Sequence, residues 1–320
     1  MHWQVRRSIL SSLIFLYTAL LAAHPSAAAP QTPQNAIPAE SIESLKSSAE
    51  AGNAVAQYKL ALVYLHSNPA TPDYDSTIKW LRASASQGNT AAEFMLGYLY
   101  EHGQGLPRDY AKAAEKYRAA ALLGYSVAAN NLASLYQHGQ GVQKDLTKAL
   151  EWYQVAAQAA DPVAQCNLAT MYYHGYGTPR DYALAAKWFR AAAELGEADA
   201  QHNLGVLYYK GLGVPSGYME AAHWERLAAQ QGQSRAETEL AYLYESGRGV
   251  HLDYVAAYTW YSRAIAAGDN TGKELRKSLS HRMTKKQLDE AKALVSAQSS
   301  QPRPSTATAT GTLSLFEPTN

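Results

Sequence analysis

The sequence predicts an all-α protein, an α-solenoid of six helical hairpins of 36 residues each, with a leading half-repeat and a C-terminal capping helix. Three observations lead to this prediction. Residue types recur at a spacing of 36, each unit carries two apolar helical stripes, and glycines stand where the predicted helices end. A period of roughly 20–50 residues is typical of repeat arrays, in which each unit buries its apolar face against its neighbours.

Several residue types occupy the same position in successive units. Tyrosine is the clearest case, because 23 Tyr in 320 residues would place six in register by chance with a probability on the order of 10⁻⁷. The repeated positions are Tyr64, Tyr100, Tyr136, Tyr172, Tyr208 and Tyr244; Leu60, Leu96, Leu132, Leu168, Leu204 and Leu240; and Gly52, Gly88, Gly124, Gly196, Gly232 and Gly268. Tryptophan recurs in the same way, with Lys116 in its place in the second unit.

The third unit, residues 124–159, shows why each unit is predicted to be a helical hairpin. Val127–Gln137 carries Ala, Leu, Leu and Tyr at i, i+4, i+7 and i+8, which places them on one face of a helix. A Gly-Gln-Gly segment then predicts the helix end, since glycine adopts left-handed backbone angles without strain. Asp145 supplies an N-cap oxygen for a second helix that runs to about Ala159.

These columns together resemble the Sel1-like repeat, a relative of the tetratricopeptide repeat. The fifth unit carries the motif as Ala200, Leu204-Gly205, Tyr208, Gly211-x-Gly213-Val214, Ala221, Trp224 and Ala228-Ala229. The resemblance covers residues 40–276. It implies a right-handed superhelix whose first helices line the concave side, a surface that solenoids use for binding.

The two ends of the array are predicted to differ from its repeats. Ser41–Ala51 predicts a lone helix that covers the first unit. Residues 277–297 predict the capping helix, with Thr284-x-x-Gln287 as a capping box. Residues 298–320, rich in Ser, Thr, Pro and Ala, predict a disordered tail.

Residues 1–28 predict a secretory signal peptide, because two arginines precede an apolar run and then small residues. We expect cleavage after Ala28, with Ser26 at the −3 position; an uncleaved signal anchor is the alternative. The apolar run is about 15 residues, shorter than the ~20 that span a bilayer comfortably. Residues 29–39 then form a linker, and the mature chain is expected to be periplasmic or secreted, without insertion into a membrane.

Composition excludes several classes of function. The chain has 28 Lys+Arg against 27 Asp+Glu, which argues against a nucleic-acid binder with a broad basic surface. Apolar residues make up 47%, enough for a core. The single cysteine, Cys166, excludes an intrachain disulfide and a multi-cysteine zinc site. We expect no cofactor and no metal ion.

Three patterns resemble reactive or metal-binding sites, and each has a structural reading that we favour. A histidine recurs in four successive units, about 10 Å from the next, which is too far for a shared ion; the positions are His66, His102, His138 and His174. Cys166 has His202 one repeat away as a base, a pairing that we do not adopt. Ser76-Thr77-Ile78-Lys79 matches the Ser-x-x-Lys of penicillin-recognising enzymes, without Ser-Asp-Asn or Lys-Thr-Gly elsewhere. We therefore predict no catalytic residue.

Variable columns on the first helices predict the binding surface. They share one helix face at i, i+3, i+4 and i+7. The predicted contact residues are Tyr58, Phe94, Tyr98, Asn130, Asn131, Asn167, Thr170, His202, Asn203 and Tyr242. Asparagine amides in the middle suit the backbone of an extended peptide, and Phe94, Tyr98 and Tyr242 suit anchor contacts. For each residue, packing between adjacent first helices is the alternative.

These observations predict a non-enzymatic periplasmic scaffold that binds a protein or peptide on its concave face. The resemblance implies a role in envelope signalling, secretion or motility. A module that binds peptidoglycan or polysaccharide is the alternative, since Asn and Tyr also suit a glycan. A β-lactamase-like or penicillin-binding hydrolase comes third, because some Sel1-like proteins carry that label.

Overall fold

The computed structural model describes residues 39–68 and 70–299, where fifteen helices follow one another without a strand. They are α1 (Ala39–Glu50), α2 (Ala54–His66), α3 (Tyr74–Ala85), α4 (Thr90–His102), α5 (Tyr110–Leu122), α6 (Ser126–His138), α7 (Leu146–Gln158), α8 (Pro162–His174), α9 (Tyr182–Glu194), α10 (Ala198–Lys210), α11 (Tyr218–Gln230), α12 (Ser234–Ser246), α13 (Tyr254–Ala266), α14 (Gly272–Arg282) and α15 (Lys285–Ser299). The predicted signal peptide, nearly all of the linker and the tail from residue 300 lie outside the described residues.

Helices α2 to α13 form six antiparallel hairpins, and each helix packs mainly against the helices directly before and after it in the chain. Such nearest-neighbour packing is the architecture of a solenoid. Helix α1 packs on α2, as the leading half-repeat was predicted to do. The predicted α-solenoid of six 36-residue hairpins is therefore confirmed.

Local capping sets the bounds of the hairpins. In the third repeat, Gly139 ends α6 with φ 70°, in the left-handed region. Asp145 then accepts a hydrogen bond from the backbone N–H of Lys148 at 2.9 Å, which caps α7 as predicted. The same cap recurs at Asp73, Asp109, Asp181 and Asp253. At the fifth repeat Gly217 takes this position and α11 has no side-chain cap.

The second glycine of each Gly-x-Gly loop joins one repeat to the next. Gly141 has φ 67°, and a Cβ built there would overlap the backbone of Tyr110 and Ala111 at the start of α5. The same close approach to the first turn of a second helix occurs in three more repeats. There, α7, α9 and α11 are approached by Gly177, Gly213 and Gly249, in that order. The loops are thus turns and close contacts between repeats.

In four of the six hairpins, one aromatic ring from the second helix fills the core. In three repeats this is a buried tyrosine whose hydroxyl donates to a residue sixteen positions earlier: Tyr117 to Glu101, Tyr153 to Gln137, and Tyr261 to Glu245. The fourth repeat has Phe189, which has no hydroxyl, and Tyr173 stands at the acceptor position. Each of the three buried hydroxyls thus has an acceptor, and the Phe189 ring needs none.

The C-terminal cap differs from its predicted bounds. The structure has two helices in place of one over residues 277–297, because Met283 is extended (φ −83°, ψ 144°) and separates α14 from α15. The predicted capping box starts the second of them. The Gln287 side chain accepts from the Thr284 backbone N–H at 2.9 Å, and the Thr284 hydroxyl accepts from the Gln287 backbone N–H at 3.3 Å. Both helices pack against α13.

Candidate functional site

The structure divides the ten predicted contact residues into two groups. Four of them, Tyr58, Tyr98, Asn131 and Tyr242, are partly exposed and stay predicted contacts. The other six are buried, with at most 5% exposure: Phe94, Asn130, Asn167, Thr170, His202 and Asn203. The prediction that these six present an accessible surface is wrong.

The buried residues lie between neighbouring helices. The Phe94 ring centroid is 5.7 Å from that of Tyr117 and 5.0 Å from that of Tyr125. The Asn167 amide donates to Asn130 Oδ1 at 3.0 Å, which links two successive first helices. Buried amides need such partners because an unpaired polar group is costly in the interior. These asparagines therefore connect repeats, and their amides are not accessible to a peptide.

Cys166 and His202 do not form a reactive pair. The Cys166 thiol is fully buried, and burial, with the nearby carboxyls of Glu197 and Asp199, raises its pKa well above the usual value. Only a thiolate is an effective nucleophile, so this environment makes the thiol inert. The His202 ring bonds Glu225 through Nδ1, at 2.9 Å from Oε2.

The repeated histidines complete the last turn of the first helices. In three repeats Nδ1 donates to the carbonyl four residues earlier: His66 to Leu62 at 2.7 Å, His102 to Tyr98 at 3.0 Å, and His138 to Ser134 at 2.9 Å. A histidine in the last turn of a helix is favoured there by the helix dipole and by such bonds to the last carbonyls. Within residues 39–68 and 70–299, no group of three or more His, Cys, Asp or Glu is arranged to hold a metal ion.

The Ser-x-x-Lys segment is the start of an ordinary helix. The Ser76 backbone N–H donates to the Asp73 cap at 3.0 Å, within the first turn of α3. The Lys79 ammonium lies 5.1 Å from the centroid of the Trp80 ring, on the exposed surface. These contacts support the structural reading of the segment.

A tyrosine–arginine cluster, which we define as Arg248 with Tyr209, Tyr218 and Tyr242, joins the fifth and sixth repeats. The guanidinium carbon lies 5.9, 5.4 and 5.8 Å from the three ring centroids, in that order. Arg248 also donates to the Tyr209 hydroxyl at 2.6 Å. All three tyrosines are partly exposed, Tyr218 at 41%. Such contacts hold aromatic rings in place at the surface.

Sequence reasoning found only Tyr242 of this cluster. A signal for Arg248 was available, because it stands between two loop glycines where the other repeats have uncharged residues. The signal for Tyr209 was weaker, since the matching residue of the fourth repeat is also a tyrosine, Tyr173. The clustering itself depends on residues up to 39 positions apart.

A cavity of about 130 Å³ adjoins the tyrosine–arginine cluster and shares Tyr209 with it. Two carboxylates, three apolar side chains, one tyrosine and one lysine line it. They are Glu225, Glu239, Val206, Ala221, Leu243, Tyr209 and Lys210. Lys210 is exposed, so the cavity is open to solvent on its side.

Glu225 is the unusual residue of this cavity, since it stands where other repeats have Leu81, Tyr117, Tyr153, Phe189 and Tyr261. It is only 2% exposed, and burial raises its pKa to about 7 although His202 acts in the opposite direction. Burial lowers the pKa of His202, but attraction to Glu225 and Glu239 outweighs burial and leaves it raised. The pair therefore binds protons more tightly in the folded chain than its two groups do in water.

Six consecutive matches to the Sel1 repeat family model cover residues 54–89, 90–125, 126–161, 162–197, 198–233 and 234–269. The chain belongs to the Sel1 repeat family. Each match begins at the first residue of a first helix, so the repeat of the family is the hairpin described above. The resemblance drawn from the sequence is confirmed.

Two solved structures of Sel1 type are similar over most of the chain. One is a protective antigen present in uropathogenic Escherichia coli strains that displays an SLR fold, with 33% identity and a TM-score of 0.71 over 80% of this chain. This chain spans 56% of the length of that protein. The other is a Sel1 repeat protein from Oxalobacter formigenes, with 26% identity and a TM-score of 0.63, covering 75% of this chain and 96% of that one. Comparison with curated proteins gives no significant match.

Membership of the family has a general functional meaning. Sel1 repeats mediate protein–protein interaction, and proteins of the family are typically scaffolds without catalytic activity. Among the helices of residues 39–68 and 70–299, none combines the length and apolar character that a membrane span requires.

Proposed function

We propose that this Sel1 repeat protein is a non-enzymatic periplasmic scaffold that binds a protein or peptide on the exposed face of its first helices. The tyrosine–arginine cluster carries the proposal. Tyrosine and arginine are enriched among the residues that dominate binding energy. Arg248 already contacts all three rings. These side chains therefore lose little conformational entropy when a partner binds.

A second aromatic patch extends this face toward the N-terminal repeats. Tyr98 stacks on His102 with ring centroids 4.0 Å apart, and its pKa is raised to about 12, first by burial of the hydroxyl. Tyr58 is also partly exposed in the repeat before it. An extended partner that follows the first helices would meet aromatic side chains at both ends, which supports a peptide or protein over a compact small molecule.

Binding to peptidoglycan or polysaccharide is the less favoured function. The asparagine amides that suit a glycan include Asn130, Asn167 and Asn203, and all three are buried. Asn131 is the predicted amide that is partly exposed. One accessible amide beside scattered tyrosines provides few of the polar contacts that orient a sugar.

The periplasmic location and the role in envelope signalling, secretion or motility rest on the predicted signal peptide and on the family resemblance. Expression of the full chain with a C-terminal tag, followed by cell fractionation and N-terminal sequencing, tests the location. We expect a periplasmic product that begins at Ala29. A product that retains residues 1–28 would contradict cleavage, and a cytoplasmic one would contradict the location.

Affinity capture from envelope extract tests partner binding. We expect the mature protein to recover a protein partner, and Tyr209→Ala/Tyr242→Ala to recover at least about tenfold less, because each hot-spot truncation costs about 1–2 kcal/mol. The matched control is Leu122→Ala/Val155→Ala, which removes two exposed apolar side chains from second helices. Equal recovery by both variants would contradict the proposed surface. Sedimentation with purified sacculi, without a protein partner, would favour the glycan-binding function.

A further inference from the structure

We propose that the cavity beside Glu225 binds a basic side chain of the partner, a lysine or arginine whose alkyl stem and terminal cation enter together. This inference rests on the proposed function, which provides the partner, and it names the chemistry that one part of the surface recognises.

The cavity exists because the fifth repeat departs from the core pattern of the others. The matching position holds a ring that fills the core in four repeats, among them Phe189 in the fourth. Glu225 instead turns to His202, and Gly205 leaves it room, since a Cβ at Gly205 would lie 2.8 Å from Glu225 Oε1. The resulting space of about 130 Å³ is far larger than the ~10–15 Å³ that one water molecule requires.

The lining of the cavity suits a long side chain with a positive end. Val206, Ala221 and Leu243 offer apolar contact to a methylene stem, as occurs where Lys and Arg cover apolar surface. The Glu225 and Glu239 carboxylates accept hydrogen bonds from an ammonium or guanidinium, and such charge-assisted bonds are stronger than neutral ones. An apolar side chain of the same length would leave both carboxylates desolvated without a cation.

Two carboxylates of the cavity can meet a cation, and two basic side chains lie beside them. Glu225 and Glu239 together carry two negative charges when ionised, Lys210 contributes one positive charge to the lining, and His202 contributes another when it is protonated. His202 occupies one Glu225 oxygen from the side of the core. A cation that enters also favours the ionised form of Glu225.

Small probes test the cavity without the partner. The mature protein is titrated with n-pentylammonium, n-butylguanidinium, 1-pentanol and pentanoate by saturation-transfer NMR, and crystals are soaked with the tightest binder. We expect the two cations to bind in the cavity more tightly than pentanol or pentanoate. Tighter binding of n-pentylammonium indicates a lysine of the partner, and tighter binding of n-butylguanidinium indicates an arginine.

Three variants locate the binding. His202→Cys/Glu225→Phe copies Cys166 and Phe189 of the fourth repeat, fills the space, and is expected to abolish binding of both cations. Glu239→Gln keeps the Glu225–His202 pair and is expected to weaken binding about fivefold, the effect of losing an ion pair of about 1 kcal/mol. Glu220→Gln is the control, because it makes the same charge change outside the cavity, on α11, the helix that also carries Glu225.

The outcomes separate this inference from the proposed function. Cation binding that disappears in the double variant and weakens in Glu239→Gln but not in Glu220→Gln supports the inference. Equal binding of pentanol and pentylammonium, or binding unchanged by all three variants, overturns it. If the double variant does not fold, Glu239→Gln against Glu220→Gln decides. If the protein captures a partner but binds neither cation, the proposed scaffold function is supported and the cation site is overturned.

Discussion

Two glycines in successive loops of the array should respond very differently to alanine. Gly141 is the second glycine of its loop, with φ 67°, and it faces the backbone of Tyr110 and Ala111 in the preceding repeat. Gly124 has φ 88° and no heavy atom within 4 Å of a built Cβ. We expect Gly141→Ala to destabilise the array strongly and Gly124→Ala to do so mildly.

The magnitudes follow from two separate costs. An alanine in the left-handed region costs about 1–2 kcal/mol, while the reduced freedom of the unfolded chain offsets about 0.4–1 kcal/mol of this. Gly124→Ala should therefore lose about 1 kcal/mol. At Gly141 the overlap with backbone atoms adds about 1–3 kcal/mol, so the total loss is about 2–4 kcal/mol. Ala160, with φ 59° in the same column as Gly124, shows that the first cost alone is tolerated.

Urea unfolding, followed by tryptophan fluorescence and by far-ultraviolet circular dichroism, measures both changes. Coincident transitions are needed, because repeat arrays can unfold in parts. In thermal melts we expect about 2–4 °C of Tm loss per kcal/mol. Ala160→Gly should raise stability slightly, since it removes left-handed strain. Equal losses for Gly141→Ala and Gly124→Ala would refute the reasoning that the second glycine is needed for close contact between repeats.

Three further predictions concern buried polar groups. Tyr153→Phe removes the donor to Gln137 and should cost about 1–2 kcal/mol in urea unfolding, because the amide oxygen loses its buried partner; an unchanged midpoint would contradict this. The Glu225 and His202 pKa values are both raised on folding, so the folded chain binds more protons, and stability should fall as pH rises from about 4.5 through 7. His202→Cys/Glu225→Phe should flatten that fall, and parallel pH profiles would show that the pair is not its source. The Cys166 thiol should react with a disulfide reagent only after unfolding, because it is fully buried and its pKa is raised; rapid labelling of the native protein would be inconsistent with this environment.

Much of the local structure could be predicted, because it depends on residues close together in the chain. The stripe predicted over Val127–Gln137 becomes helix Ser126–His138, and the Asp145 cap forms as predicted. The capping box at Thr284 marks a helix start that the predicted single capping helix overlooked. The extended backbone at Met283 explains the difference, since it divides the segment into two helices.

The candidate site was harder to predict, because burial depends on the neighbouring repeat. Asn130 and Asn167 fall on the variable face of their helices, yet they bond each other across two repeats. A helical wheel shows which side of one helix a residue occupies, but it does not show how closely the next first helix approaches. Six predicted contacts were lost for this reason, while Tyr98 and Tyr242 remain partly exposed.

The sequence by itself determined the all-α class, the 36-residue hairpin and the positions of its caps. These features depend on apolar stripes, glycines and cap residues that lie close together in the chain and recur at the same spacing in successive units. Only the tertiary structure decided which side chains face solvent and which meet one another. Arg248 reaches Tyr209 across 39 positions, and His202 reaches Glu225 across 23. The first contact depends on how two repeats stack and the second on how the two helices of the fifth hairpin pack, and neither leaves a period in the chain from which it could be predicted.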